Sequence, residues 1–155
     1  MHDAFKLYVD ALQPAFEKLI SMEPVKLTAL PKKLPTRCVY LFSEGDKHLY
    51  VGRTNHFRNR MRQHSIPAAQ HNQAVFAFRL ARVATGHTEV AYSTKGGRVA
   101  LAVEPVFAAA FTDAKARIRN MDLRFVEEDE PLPQALLEIY VAVVLKTPHN
   151  SFENR

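Results

Sequence analysis

A chain of 155 residues, 47% hydrophobic and 24% charged, holds enough apolar material for one domain with a real core, which excludes global disorder. A single cysteine excludes an internal disulfide, the opening MHDAFK lacks the apolar segment of a signal peptide, and the longest plain apolar run, 139–145, is far too short to span a bilayer; the expectation is a soluble, cytoplasmic protein with no membrane partner. The net charge of +5 is uneven, with eight Lys/Arg against two acids in 31–64, eight against four in 65–126, and a balance of −4 from Glu127 onward, so a basic field points either to a polyanion partner or to a plain solvated face.

Residues 3–20 read as an amphipathic helix with Phe5, Tyr8, Val9, Leu12, Phe16, Leu19 and Ile20 on one stripe and Asp3 as N-cap. Pro14 is expected to kink or restart it. Pro24, Pro31 and Pro35 make 22–36 an extended connector.

The stretch from Cys38 to His64 is the densest in signals. Two apolar runs, 38–42 and 49–51, flank the polar link 43–48, which contains Gly45, and this predicts a β-hairpin. Gly52 ends the second strand, and Thr54 or Asn55 is placed to cap a helix. In that helix Phe57, Met61 and His64 share one face, while Arg58, Arg60 and Arg62 take the other sides and no acid occurs between Arg53 and His64. Two tyrosines on paired strands, Tyr40 and Tyr50, therefore stand beside a strongly cationic helix start.

Residues 65–72 form a polar loop; 74–85 is ambiguous, since VFAFRLARV can alternate as a strand, but its alanines and the Thr85-Gly86 stop favour a helix. The stretch 87–98 reads as a loop in which Gly96 and Gly97, flanked by Lys95 and Arg98, can cradle a phosphate, without Walker-type spacing. A helix is predicted over 103–120, with Pro105 in its first turn and Val106, Phe107, Ala110, Phe111, Ala114 and Ile118 on one side. Met121, Leu123 and Phe125 then alternate as a half-buried strand. The acids 127–130 are expected to be solvated in a turn, and 134–146 to be a helix burying Leu136, Leu137, Tyr140, Val143 and Val144. His71, His87 and His149 show no zinc spacing with Cys38. Three strands with helices around them predict an α+β domain.

The Val39-Tyr40 and Tyr50-Val51-Gly52 pair, ten residues apart from Tyr to Tyr, resembles the signature of the GIY-YIG nuclease superfamily. So does the spacing onward to Arg60 and His64. Glu138 in an apolar helix and Asn150 twelve residues later, after Thr147-Pro148, resemble the family's last two motifs. The chain is similar in this to the nuclease domain of the bacterial excision-repair incision subunit and to phage homing endonucleases. It departs from them at Cys38, where the family usually has Gly, and in its longer gap from His64 to Glu138. The resemblance covers 36–64 and 121–150. It implies a small three-stranded antiparallel sheet flanked by helices in one nuclease domain, 1–155. Within it, 1–35 are an added helix and connector, 36–64 the hairpin and first catalytic helix, 65–120 a helical insertion, and 121–155 the third strand, the Glu138 helix and the tail.

A carboxylate at Glu138, between Leu137 and Ile139, costs several kcal/mol if buried without compensation. Either it meets solvent or an arginine at the helix edge, or it holds one hard cation, Mg²⁺ or Mn²⁺, completed by water and a substrate phosphate. A lone carboxylate suits one-metal phosphodiester hydrolysis, and the resemblance adds weight to that choice. A phenol, with its pKa of about 10, is a poor base at neutral pH. One cation about 5 Å away at an effective dielectric of about 20 contributes roughly 3 kcal/mol, or about two pKa units. The neighbourhood of Arg53 and Arg60 supplies such cations, and the resemblance favours Tyr50 as base with Tyr40 hydrogen-bonded nearby; between the two the residues do not choose. Arg60, one turn before His64, suits bidentate hold on a phosphate. Arg53 and Arg58 are expected to bind substrate, as is Asn150, which also fixes the tail. His64 either assists proton transfer or packs. The function expected is a DNA endonuclease that depends on Mg²⁺ or Mn²⁺. The alternatives are a nucleic-acid-binding module that kept the fold without turnover, and a basic adaptor using the N-terminal helix.

Overall fold

The computed structural model describes residues 1–87 and 97–152. In chain order these form α1 (Asp3–Ser21), a single 3-10 turn (Leu27–Ala29), β1 (Cys38–Glu44), β2 (Lys47–Thr54), α2 (Phe57–Ser65), α3 (Val75–Thr85), α4 (Arg98–Val103), α5 (Pro105–Arg119), β3 (Asp122–Glu127) and α6 (Pro131–Leu145). The fold is α+β, with an antiparallel three-stranded sheet in the order β2-β1-β3. Two compact units divide the chain: Met1–Arg58 with Met121–Arg155, and Asn59–Asn120.

In the first unit the hairpin turns more tightly than its sequence suggested. Its strands run on to Glu44 and back from Lys47, which leaves Gly45 and Asp46 as a two-residue loop. Gly45 has φ +58, the left-handed value that such a loop requires at its first position and that glycine adopts without strain. β1 is central, and residues 38–42 are wholly buried because strands cover both its edges and side chains cover both its faces. Alternation along the strands then makes two different layers. Val39, Leu41, Val51 and Val126 join Phe16 and Leu19 of α1 and Leu137, Val141 and Ala142 of α6 in one apolar core. Tyr40, Phe42 and Tyr50 lie on the opposite face, where Phe57 stacks 6.2 Å from Tyr40 and 4.8 Å from Phe125.

Helix α1 is capped by His2, whose Nδ1 accepts from the amide of Ala4, and Asp3 is its first residue, not its cap. It passes through Pro14 without restarting. Of the expected stripe only Phe16 and Leu19 are buried, while Phe5, Tyr8 and Ile20 are exposed, because α1 meets the core through its C-terminal half alone. The connector is tied to the sheet by a bridge from Val25 to Leu123. α6 begins earlier than expected, with Pro131 and Pro133 in its first turn where their missing N–H groups cost nothing. It also buries a different face. Gln134, Leu137, Val141 and Ala142 turn inward, whereas Val143, at 64% exposure, and Val144 face out. A helix apolar almost all round carries no periodicity strong enough to choose its buried side. Among the described residues no helix is long and apolar enough to cross a membrane.

In the second unit α3 ends as expected, on Gly86 at φ 76. The helix predicted to begin at 103 is two: α4 runs to Val103, and Glu104 caps α5 by accepting from the amides of Val106 and Phe107, with Pro105 at its first position. Phe107, Phe111, Ala114 and Ile118 are buried, but Val106 is 68% exposed, a position beside the cap that points to solvent. Phe78 is the hub of this unit's core, with Phe107 at 4.9 Å and Phe111 at 5.9 Å between ring centroids. Lys115 is buried, its Nζ donating to the carbonyls of Pro67 and Ala69 at 2.7 and 3.0 Å and lying 4.3 Å from the Phe111 ring centre. Of the phosphate cradle expected at 95–98, Lys95 and Gly96 lie outside the described residues, and Arg98 opens α4 with its guanidinium 5.5 Å from the Phe78 ring.

Candidate active site

β2 is an edge strand, and most of the expected site residues of the first unit gather on it or against it. Tyr40 and Gly52 are register partners across the hairpin, as are Phe42 and Tyr50. The two phenol rings lie 6.4 Å apart and tilted by 51°. Gly52 is required for this. A Cβ there would sit 2.5 Å from Tyr40 Cζ and closer still to its hydroxyl oxygen, so the Tyr40 ring occupies the space that any other residue would need. Tyr40 is wholly buried, and Tyr50 keeps slight exposure. Of the two, Tyr50 is the one with a hold on solvent.

The edge of β2 is closed by the tail. The Asn150 side chain accepts from the Val51 amide at 3.0 Å through Oδ1 and donates to the Val51 carbonyl at 2.8 Å through Nδ2. It thereby supplies what a further strand would have supplied. Thr147 Oγ1 donates to Asn150 Oδ1 at 2.8 Å and fixes which end of the amide faces which partner, and the His149 amide adds a bond to the Leu49 carbonyl. The residue so clamped is the one between Tyr50 and Gly52. Thr147 has no counterpart in the sequence expectations; its spacing of three before Asn150, just after a helix end at Lys146 in the left-handed region, is the signal that marks it.

Arg53 alternates to the other side of β2, opposite Val39, and there it meets α6. Its Nε donates to Glu138 Oε2 at 2.9 Å, with the two side chains 46% and 22% exposed. Of the partners open to Glu138 from sequence, an arginine is present. A pair as open as this contributes about 0–1 kcal/mol to stability. Gln134, one turn before Glu138, is buried and donates to the Thr54 carbonyl at 3.0 Å, which ties α6 to the end of β2. Arg58 donates to the carbonyl of Lys32 and is thus partly occupied with the connector. Helix α2 starts later than expected: the Thr54 hydroxyl accepts from the His56 amide, and the Phe57 amide bonds to the Thr36 carbonyl.

In the second unit Arg60 donates from one Nη to the Gln73 carbonyl at 3.0 Å and to Gln63 at 3.3 Å. His64 is wholly buried, edge-on to Phe76 at 6.4 Å. Burial, and after it the charge of Arg60, holds its pKa well below the usual imidazole value, so the ring is neutral at neutral pH. Cys38 is no nucleophile: burial, reinforced by Glu127 across the strand pair, pushes its thiol up to about 12.

Among the described residues no three His, Cys, Asp or Glu side chains come together as a metal cage. The donor chemistry present is one partly exposed carboxylate, Glu138. That fits a small hard cation which keeps most of its water and takes one carboxylate and a phosphate, and it does not fit a closed tetrahedral zinc site.

Residues 37–97 match the family model of the GIY-YIG catalytic domain, a nuclease domain. The match takes in β1, β2, α2 and α3. No curated protein and no solved structure matches the chain.

Proposed function

We propose, from the premise that residues 37–97 belong to the GIY-YIG nuclease superfamily, that this protein is an endonuclease that hydrolyses phosphodiester bonds of DNA with the help of Mg²⁺ or Mn²⁺. The observation that carries the reading is what β2 holds within four consecutive residues: Tyr50 and Gly52 beneath Tyr40 on one face, and the clamped Val51 and Arg53 in contact with Glu138 on the other.

In this reading Tyr50 takes the proton from an attacking water, and Tyr40, locked over Gly52, fixes the phenol pair. Arg60 presents its planar fork to the scissile phosphate, where charge develops as the bond from phosphorus to the leaving oxygen breaks. Arg53 and Arg58 hold flanking phosphates. Neutral His64 orients its helix and donates no charge. Glu138 holds the divalent cation, which when bound supplies Lewis-acid stabilisation to the phosphate oxygens. Asn150 keeps β2 in register and so keeps Tyr50 in place.

A binding module on the same fold is the second reading, and the pairing of Glu138 with Arg53 is what favours it. Cleavage of labelled single-stranded, duplex and branched DNA, with Mg²⁺ or Mn²⁺ and with a chelator, separates the two. The expected result is cation-dependent cutting that Glu138→Gln abolishes in a folded protein. A folded Glu138→Gln that cuts as fast as the parent overturns the cation assignment, and binding without cutting under every condition establishes the module.

A further inference from the structure

Within the second unit, a cavity of about 330 Å³ opens between α4 and Phe111 of α5, lined also by Gln70 and His71 of the loop before α3. Sites for one small ligand run from about 300 to 1,000 Å³, so this is the size for a single flat molecule and not for a helix or a strand. Its walls are apolar, through Val99, Ala102, Val103 and Phe111, the last of which brings an aromatic ring. Its polar groups are few. The Gln70 side-chain amide carries a donor and an acceptor side by side and has no hydrogen-bond partner among the described residues. His71 adds a second flat ring, 6.3 Å from Phe78 centre to centre.

Charge selects among flat ligands. Residues 59–120 carry nine Lys/Arg against three acids, and none of the ion pairs among the described residues lies in that stretch. Arg98, next in the chain to Val99, is exposed. Its guanidinium rests 5.5 Å from the centre of the Phe78 ring, and among the described residues no carboxylate pairs with it. Such a guanidinium keeps its planar fork for a phosphate. A ring-lined apolar cavity takes the face of a base, and a glutamine amide matches the paired donor and acceptor on the edge of adenine.

We propose that the second unit binds one unpaired nucleotide of a DNA strand, with the base in this cavity against Phe111 and Gln70 and a flanking phosphate on Arg98. The proposal rests on the nuclease reading above and deepens it by naming the substrate class. That class is DNA which offers an unpaired base, at a bulge, a branch or a single-stranded end, in preference to a continuous duplex. A paired base has its faces covered by its neighbours and its edge by its partner, so it reaches the cavity only by leaving the stack, which costs free energy. A base already unpaired does not bear that cost.

The test is equilibrium binding, with a chelator present so that no strand is cut, of three labelled duplexes of one length: fully paired, with a one-adenine bulge, and with an abasic residue in the bulge. The parent is expected to bind the adenine bulge about tenfold more tightly than either of the others, the worth of one stacked base. The abasic bulge keeps the charge and the interruption of the helix and lacks only the base. Ala102→Leu, which fills the cavity from its half-buried wall, is expected to bring the adenine bulge down to the affinity of the abasic one, with melting temperature as a check on folding. Gln70→Ala, at an exposed loop position, is expected to narrow the same difference. Equal affinity of the parent for the adenine and the abasic bulge overturns the proposal, and so does a folded Ala102→Leu that keeps the preference. In either case the nuclease reading stands if the parent cuts DNA once Mg²⁺ or Mn²⁺ replaces the chelator. If the parent neither binds nor cuts any of the three, the nuclease reading fails and the nucleotide site with it.

Discussion

At Gly52 the need for glycine comes from a neighbour and not from the backbone, since it is the Tyr40 ring that fills the place of a side chain. Gly52→Ala is therefore expected to force Tyr40 out of a fully buried position and to cost about 1–3 kcal/mol, as overpacking does; thermal melting of the variant checks this, and an unchanged melting temperature would mean that the ring is not so confined. His64 is a second residue whose environment decides its chemistry. Its folded pKa lies well below the unfolded value of about 6.5, so as pH falls below 6.5 the unfolded chain binds a proton that the folded chain refuses. The stability it allows is complete above 6.5 and is lost on acidification toward the folded value, at up to about 1.4 kcal/mol per pH unit. His48, lowered by burial and by Arg124 against the opposing pull of Asp46, acts in the same direction. Urea unfolding between pH 7.5 and 5 is expected to show the decline, and His64→Gln is expected to flatten most of it.

Among the elements, β2 depends most on a partner outside the sheet. Its outer edge is closed by one side-chain amide, and Val51 is buried, so its N–H and C=O have no water to fall back on. Asn150→Ala is expected to cost about 1–3 kcal/mol, the penalty of leaving buried polar groups unpaired, and to speed hydrogen exchange at the Val51 amide while those β1 amides that bond to β3 stay protected. Uniform exchange across the sheet would remove Asn150 from this role. Element types were legible in the chain: the hairpin, α3, β3 and α6 stand where periodicity and turn residues put them. Element faces were less so. In α6 and α5 apolar residues occur on nearly every side, and only the packing of the neighbouring sheet or helix selects Val141 over Val143, or sets Val106 outward.

For the whole molecule, the charge that suggested a polyanion is concentrated near the helix of Arg60, and affinity and turnover are expected to draw on it differently. Arg60→Lys keeps the charge and loses the planar fork, so turnover on DNA is expected to fall by about tenfold or more while affinity and its salt dependence change little; single-turnover cleavage beside a salt titration of binding checks both, and unchanged cleavage removes Arg60 from the chemistry. The sequence by itself determined the α+β class, the hairpin with its tyrosine spacing, and the residue types at the site, because these follow from local periodicity, turn chemistry and short-range spacing. Only the tertiary structure decided the rest. Which layer receives Tyr40 and which receives Arg53 follows from strand register and the pairing partners on both sides of β1. That Glu138 meets Arg53, and that Asn150 meets Val51, are contacts across 85 and 99 residues of chain. Such meetings depend on how a helix and a tail pack against an edge strand. No local pattern of side chains encodes the outcome of that packing.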